Sequence, residues 1–143
     1  MTDFTDPVSM RALNATVVEE FRANGGRVTG MFVDSALLLL TTTGARTGQP
    51  RLTPLAYHRV DGKLFVVGSN GGSSRDPGWV RNLRVNPLAQ VDFGDGPTPT
   101  GARELGSAER DAVFTRVIEQ APQFAKYAGN AHRTVPLFEL IVG

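Results

Sequence analysis

Apolar positions along this chain follow two periods, and the switches between them mark its elements. Met10, Leu13, Val17 and Phe21 recur at helical spacing, which predicts a helix preceded by a flexible arm over residues 1–8 and stopped by Asn24, Gly25 and Gly26. That stripe is expected to pack against a sheet. The other reading is a peripheral membrane contact, although only Arg11, Arg22 and Arg27 are basic nearby. From Leu37 to Thr43 leucine and threonine run without interruption, the pattern of a buried strand that stops at Gly44. Leu52–Val60 and Lys63–Gly68 read as two further strands joined at Asp61-Gly62, a dipeptide suited to a tight hairpin turn. Pro54 cannot donate to a ladder, so its strand belongs at an edge or carries a bulge.

Asp76 and Pro77 open a short helix, Asp76 as its expected cap, with Trp79, Val80 and Leu83 facing a core and Asn86-Pro87 as the stop. Leu88–Phe93 and Thr98–Leu105 flank a turn-rich GDGPTP and predict another hairpin. Ser107 is then expected to cap a helix carrying Val113, Phe114, Val117, Ile118 and Ala121, which Pro122 ends or kinks. A further turn through Phe124 and Tyr127 leads to an apolar closing strand, Val135–Val142. Strands joined by tight hairpins predict an α+β, mainly β fold: about six mostly antiparallel strands in a sheet or small barrel, with an N-terminal helix and two or three further helices.

Composition narrows the setting. The 143 residues with 41% hydrophobic content suit a single domain over residues 1–143. Fifteen basic and fourteen acidic side chains leave a net charge of +1, so no general attraction to nucleic acid is expected and any electrostatic function is local. Cysteine is absent, which removes disulfides and thiolate chemistry. The longest apolar run, Ala36–Leu40, falls far short of the roughly 20 residues of a spanning helix, and MTDFTDPVSM does not read as a signal peptide. The expected location is the cytoplasm, or peripherally the inner face of the plasma membrane.

Two polar loops carry the candidate chemistry. Gly44–Arg51 combines two glycines, Pro50, Arg46 and Arg51 with Thr47, an arrangement that offers guanidinium forks, a hydroxyl and backbone amides to a phosphate. An ordinary hairpin connection with solvated arginines is the competing reading. Ser69–Gly78, SNGGSSRDPG, is the second loop of small residues. In the helix after it, Asn82 is a poor helix former that offers a donor and an acceptor to a neighbouring loop. The chain has no dinucleotide-binding glycine fingerprint, Walker loop or serine elbow, and the spacing of His58 and His132 suggests no metal site. These features point to a protein that binds a phosphorylated organic cofactor and leaves the chemistry to it.

Three ordered segments, LLLLTTTGARTGQPRLTPL, VVGSNGGSSRDPGWVRNLRVNP and HRTVPLFEL, together with FRANGGRV, resemble the deazaflavin-dependent nitroreductase family over nearly the whole chain. The resemblance implies a split β-barrel that binds the 8-hydroxy-5-deazaflavin coenzyme F-420 and passes a hydride from its reduced form to a small electron-poor acceptor: a quinone, nitro compound or activated alkene. It implies that Arg46, Thr47, Gly48, Gln49 and Arg51 surround the cofactor's phosphate and tail, and that Thr53, Pro54 and Leu55 line its ring. Ser69, Asn70, Gly71 and Gly72, with Pro77, Trp79, Asn82 and Leu83, complete the implied cofactor site, and Tyr127 is the candidate proton donor. Two positions depart from the family pattern: Ala45 precedes Arg46 where paired basic residues are usual, and Asn70 stands where lysine is common. A flavin mononucleotide (FMN) enzyme of similar fold and a non-catalytic deazaflavin carrier are the alternatives, and the oligomeric state is open.

Overall fold

The computed structural model of the protein describes residues 7–25 and 36–142, with the side chains of residues 7–14 outside the description. Its centre is one seven-stranded antiparallel sheet built from β1 (Leu37–Thr43), β2 (Pro50–Ala56), β3 (His58–Val60), β4 (Lys63–Val67), β5 (Leu88–Asp92), β6 (Pro97–Glu104) and β7 (Leu137–Val142). The strand order is β2-β1-β5-β6-β7-β4-β3. Only Tyr57 separates β2 from β3, yet these strands lie at opposite edges of that order. Both edges can be served by adjacent residues only if the sheet curls until its edges meet, which produces the split β-barrel. The Leu52–Val60 run is therefore two strands, and the total is seven where about six were expected.

Strand alternation sorts the apolar residues into an interior and an exterior. Leu38, Leu40, Leu64, Val66, Val91, Phe138 and Leu140 fill the barrel, and Trp79, Val80 and Leu83 of α2 (Gly78–Val85) pack with them. On the outside, Val17 and Phe21 of α1 (Pro7–Ala23) are buried against Leu37 and Leu39. Phe65, Val67 and Leu137 lie under α3 (Ser107–Gln120) and α4 (Gln123–Ala131) through Phe114, Val117 and Phe124. The apolar stripe of α1 thus packs on the sheet at Val17 and Phe21, while Met10 and Leu13 lie outside the described side chains. Among the described residues, no helix is long and apolar enough to cross a membrane.

Local signals hold with four shifts. The first helix begins at Pro7, inside the expected arm, and residues 1–6 lie outside the description; at its other end Gly25 takes the left-handed conformation, φ +63°, that suits a C-terminal stop. Asp61 (φ 53°) and Gly62 (φ 79°) form the expected hairpin turn. Arg51 belongs to β2, opposite Thr42, and not to the loop before it. Asp76 does not cap α2: Pro77 stands at that position, and the aspartate is drawn into ion pairs. Nor does Ser107 cap α3, of which it is the first residue after Gly106.

Candidate functional site

Four antiparallel steps, β1 to β5 to β6 to β7 to β4, make β1 and β4 run in the same direction. The loop after β1 and the loop after β4 therefore leave the barrel at the same end. Helix α2 follows the second loop and reaches back to the first: Asn82 Oδ1 accepts from the Ala45 N–H at 2.9 Å, while its Nδ2 donates to Thr42 Oγ1 at 3.0 Å. Asn82 is 8% exposed, so this clasp is shielded from competing water.

The first loop closes on itself and leaves particular donors free. The Gly44 N–H donates to Gln49 O at 2.8 Å, the Gly48 N–H to Gly44 O at 2.9 Å, and the Gln49 N–H to Thr47 Oγ1 at 3.2 Å. The glycine amides expected to meet a phosphate are thus used internally, whereas the N–H groups of Arg46 and Thr47 have no partner among the described residues. A Cβ at Gly44 would lie 2.9 Å from Thr47 Oγ1 and 3.1 Å from Gln49 O, so a side chain there would push on the two groups that close the loop. Arg46 and Arg51 are exposed and form no ion pair with a described residue. Two guanidinium groups and two unspent amides around one loop fit an anionic group.

The second loop is a single 3-10 turn over Asn70–Gly72, with Asn70 at φ 49° and Gly72 at φ 91°. Asn70 Nδ2 donates to Arg75 O at 3.1 Å. Gly72 lies against α4: a Cβ there would sit 3.5 Å from Tyr127 O and 3.6 Å from Tyr127 Cα. This contact sets Tyr127 beside the loop. Its half-buried ring meets Phe124 edge-on at 5.4 Å, and its hydroxyl has no partner among the described residues.

Phe124 in turn meets His58 edge-on at 5.0 Å. His58 is 7% exposed, its Nε2 has no hydrogen-bond partner among the described residues, and burial lowers its pKa from the ordinary value near 6.5. A lowered folded-state value means that the unfolded chain binds more protons as pH falls through 6.5. The stability contributed by the neutral imidazole is therefore complete above that pH and is lost below it. Urea melts at pH 7.5 and 5.5 are expected to show a larger drop for wild type than for His58→Leu, and equal drops would remove His58 as the cause.

Some expected site residues are placed elsewhere. Trp79, 4% exposed, packs edge-on to Phe138 at 5.6 Å inside the barrel, and Leu83 is buried beside it, so both anchor α2 and offer no surface to a ligand. Asn82 spends its amide on Thr42 and Ala45 and acts by holding the loop. Pro54 is buried opposite Leu39 on the α1 face, whereas Thr53 and Leu55, opposite Leu40 and Leu38, are half-buried on the other face with Arg51. Strand alternation separates Pro54 from its two neighbours. Pro77 is half-buried at the start of α2.

Arg75 and Arg81 are exposed on the second loop and on α2, and no residue pattern singles out either of them or Arg133. Arg133 is the residue most deeply bound to the second loop, and its one signal was a lone arginine between a helix and an apolar strand. A recess of about 140 Å³ lined by Arg22, Leu39, Thr41, Leu52 and Asp92 lies on the opposite face of β1 and β2 from Thr42 and Arg51. It is smaller than the roughly 300 Å³ at which ligand pockets begin, and it is not the candidate site.

Comparison with known proteins identifies the family and the fold. The F420H(2)-dependent quinone reductase family matches residues 13–141. An F420H(2)-dependent quinone reductase of Mycobacterium tuberculosis is 34% identical over 127 residues, covering 84% of this chain and 83% of that protein. Among solved structures, an F420-H2 dependent reductase has a TM-score of 0.64 at 36% identity, covering 73% of this chain and 93% of that one. A protein described as a domain-swapped dimer has a TM-score of 0.65 at 31% identity, covering 94% and 99%. The chain belongs to the F420H(2)-dependent quinone reductase family, as an oxidoreductase that takes a hydride from the reduced deazaflavin coenzyme F-420.

Proposed function

We propose that this protein, acting as one domain, reduces a quinone-type acceptor at the loop end of the barrel. The observation that carries the reading is the convergence of both loops there, joined by Asn82, where Arg46 and Arg51 and two loop amides have no partner among the described residues. Arg46, Thr47, Gly48, Gln49 and Arg51 would hold the phosphate and tail of F-420. Thr53 and Leu55 at the β2 edge and Ser69, Asn70, Gly71 and Gly72 in the second loop would bound its ring. Reduced F-420 supplies the hydride. The protein's own contribution is to hold the two reactants in register, which can be worth on the order of 7 kcal/mol or more. The Tyr127 backbone stands against Gly72 and its hydroxyl has no partner among the described residues, so it would give a hydrogen bond or a proton to an acceptor oxygen.

A relative described as a domain-swapped dimer makes self-association a reading to test by light scattering. Cytoplasmic placement rests on composition and chain pattern, and a membrane contact through α1 gains nothing from the burial of Val17 and Phe21. The deciding experiment titrates the apo-protein with F-420 and with FMN by fluorescence, then adds menadione to the reduced complex. Tighter binding of F-420 and oxidation by menadione are expected, and binding without turnover would make the protein a carrier. In the same assay Tyr127→Phe should lower turnover and leave F-420 affinity nearly unchanged, because it removes the hydroxyl and keeps the ring; a parallel loss of both would give Tyr127 a packing role.

A further inference from the structure

We propose that Arg133 is a positioning residue that sets the second loop and α4 as one unit against the cofactor. The proposal rests on the reading that this loop bounds the F-420 ring. His132 adopts the left-handed conformation, φ 54°, at the end of α4, and the turn it makes returns the chain beneath the loop. Every donor group of the Arg133 guanidinium then goes to the segment between Gly68 and Asp76. Nε donates to Ser73 O at 3.2 Å and Nη1 to Asp76 Oδ1 at 2.6 Å. Nη2 donates to Gly68 O at 3.0 Å, Ser69 O at 3.3 Å and Arg75 O at 3.1 Å. A segment of small residues has few side chains with which to hold itself, and its carbonyl groups converge on one planar cation. The fork geometry is essential, since lysine presents three donors from a single point and cannot span carbonyls from Gly68 to Arg75.

The clamp is continued outward. Asp76 Oδ2 also accepts from Arg84 Nη1 at 3.3 Å, and Arg84 makes a two-point pair with Glu104 at 2.8 and 2.8 Å. The end of β6, helix α2, the second loop and the approach to β7 are thus linked by a run of alternating charges. Gly68, where the loop begins, has no room for a side chain: a Cβ would lie 2.9 Å from both Pro136 Cγ and Val80 Cγ2. The loop is therefore pinned by close packing at its start and by Arg133 along its length. Because Gly72 rests on the Tyr127 backbone of α4, the same clamp fixes the distance between the loop and that helix.

The test uses Arg133→Lys and Asp76→Asn, with Arg103→Ala, which breaks two ion pairs, with Glu109 and Glu139, that do not touch the second loop, as the control. Trypsin cleavage after the exposed Arg75 in the cofactor-free protein reports loop order without any activity assay, and F-420 titration and menadione kinetics follow. Arg133→Lys is expected to speed that cleavage and weaken F-420 about tenfold, with kcat at saturating F-420 within about threefold of wild type. Asp76→Asn, read by F-420 affinity and not by cleavage because it changes the residue next to the cut bond, should weaken F-420 to a smaller extent, and it keeps the test alive if Arg133→Lys fails to fold. Cleavage and affinity equal to wild type in a folded variant overturn the proposal. Faster cleavage with unchanged affinity also overturns it as a statement about the cofactor, and the fault then lies in placing the ring beside this loop. A wild-type protein that binds no F-420 would instead fail the functional reading itself.

Discussion

Alanine at Arg46 or Arg51 is expected to weaken F-420 binding about tenfold or more, since each removes a charge-assisted hydrogen bond worth roughly 1.5 to 3 kcal/mol. Folding should hardly change. Neither guanidinium is paired with a described residue and both are exposed, and substitutions at such positions usually stay within about 0.5 kcal/mol. The effect should be larger than in a relative with paired basic residues, because Ala45 and Asn70 leave fewer charges to share the anion. The Arg46 and Thr47 amides remain in either variant, so binding should be weakened and not abolished. Raising the salt should reduce wild-type affinity by screening the same contacts and should affect the double variant less. Titrations of all forms at low and high salt, with melting curves alongside, check each part. Unchanged affinity in folded variants would return the loop to a hairpin with two solvated arginines.

Asn82→Leu is expected to lower both stability and F-420 affinity. The side chain nearly matches in size but leaves Thr42 Oγ1 and the Ala45 N–H without their partner, and an unsatisfied buried polar group costs on the order of 1–3 kcal/mol. The affinity loss follows from the second bond, which fixes Ala45 and thereby the donors at Arg46 and Thr47. Thr42→Val separates the two effects. It orphans only the Asn82 amide nitrogen and keeps the Ala45 bond, so melting should fall while affinity stays near wild type. Equal affinity losses in the two variants would show that general loosening of α2, and not the loop clasp, is responsible.

Much of the architecture was legible because periodicity and turn chemistry are local. The leucine-threonine run, the Asp61-Gly62 turn, the apolar face of α2 and the Pro122 break all appear where the residue pattern put them. Pro54 marked an edge strand for a sound reason, the missing donor, and β2 is an edge. Caps were read less well. Asp76 precedes the cap position, which Pro77 takes, and Arg133 from across the chain with Arg84 from α2 itself offer it full charges where the helix end offers only partial ones.

What the sequence by itself determined is the set of elements, the absence of cysteine chemistry, the two small-residue loops and, through the order of its motifs, the family. Which of those residues can face a ligand was decided only by the tertiary structure. Strand register turns Thr53 and Leu55 to one face and buries Pro54 on the other. Barrel closure places Trp79 and Leu83 inside, as their helical spacing predicted, although the family resemblance implied a place for them in the cofactor site. Glycine amides that looked free are consumed by closure of the first loop, and a lone arginine near the C-terminus becomes the clamp of the second. The physical reason is the same throughout: a donor's availability and a side chain's direction depend on partners brought from across the chain, and no local pattern of residues encodes them.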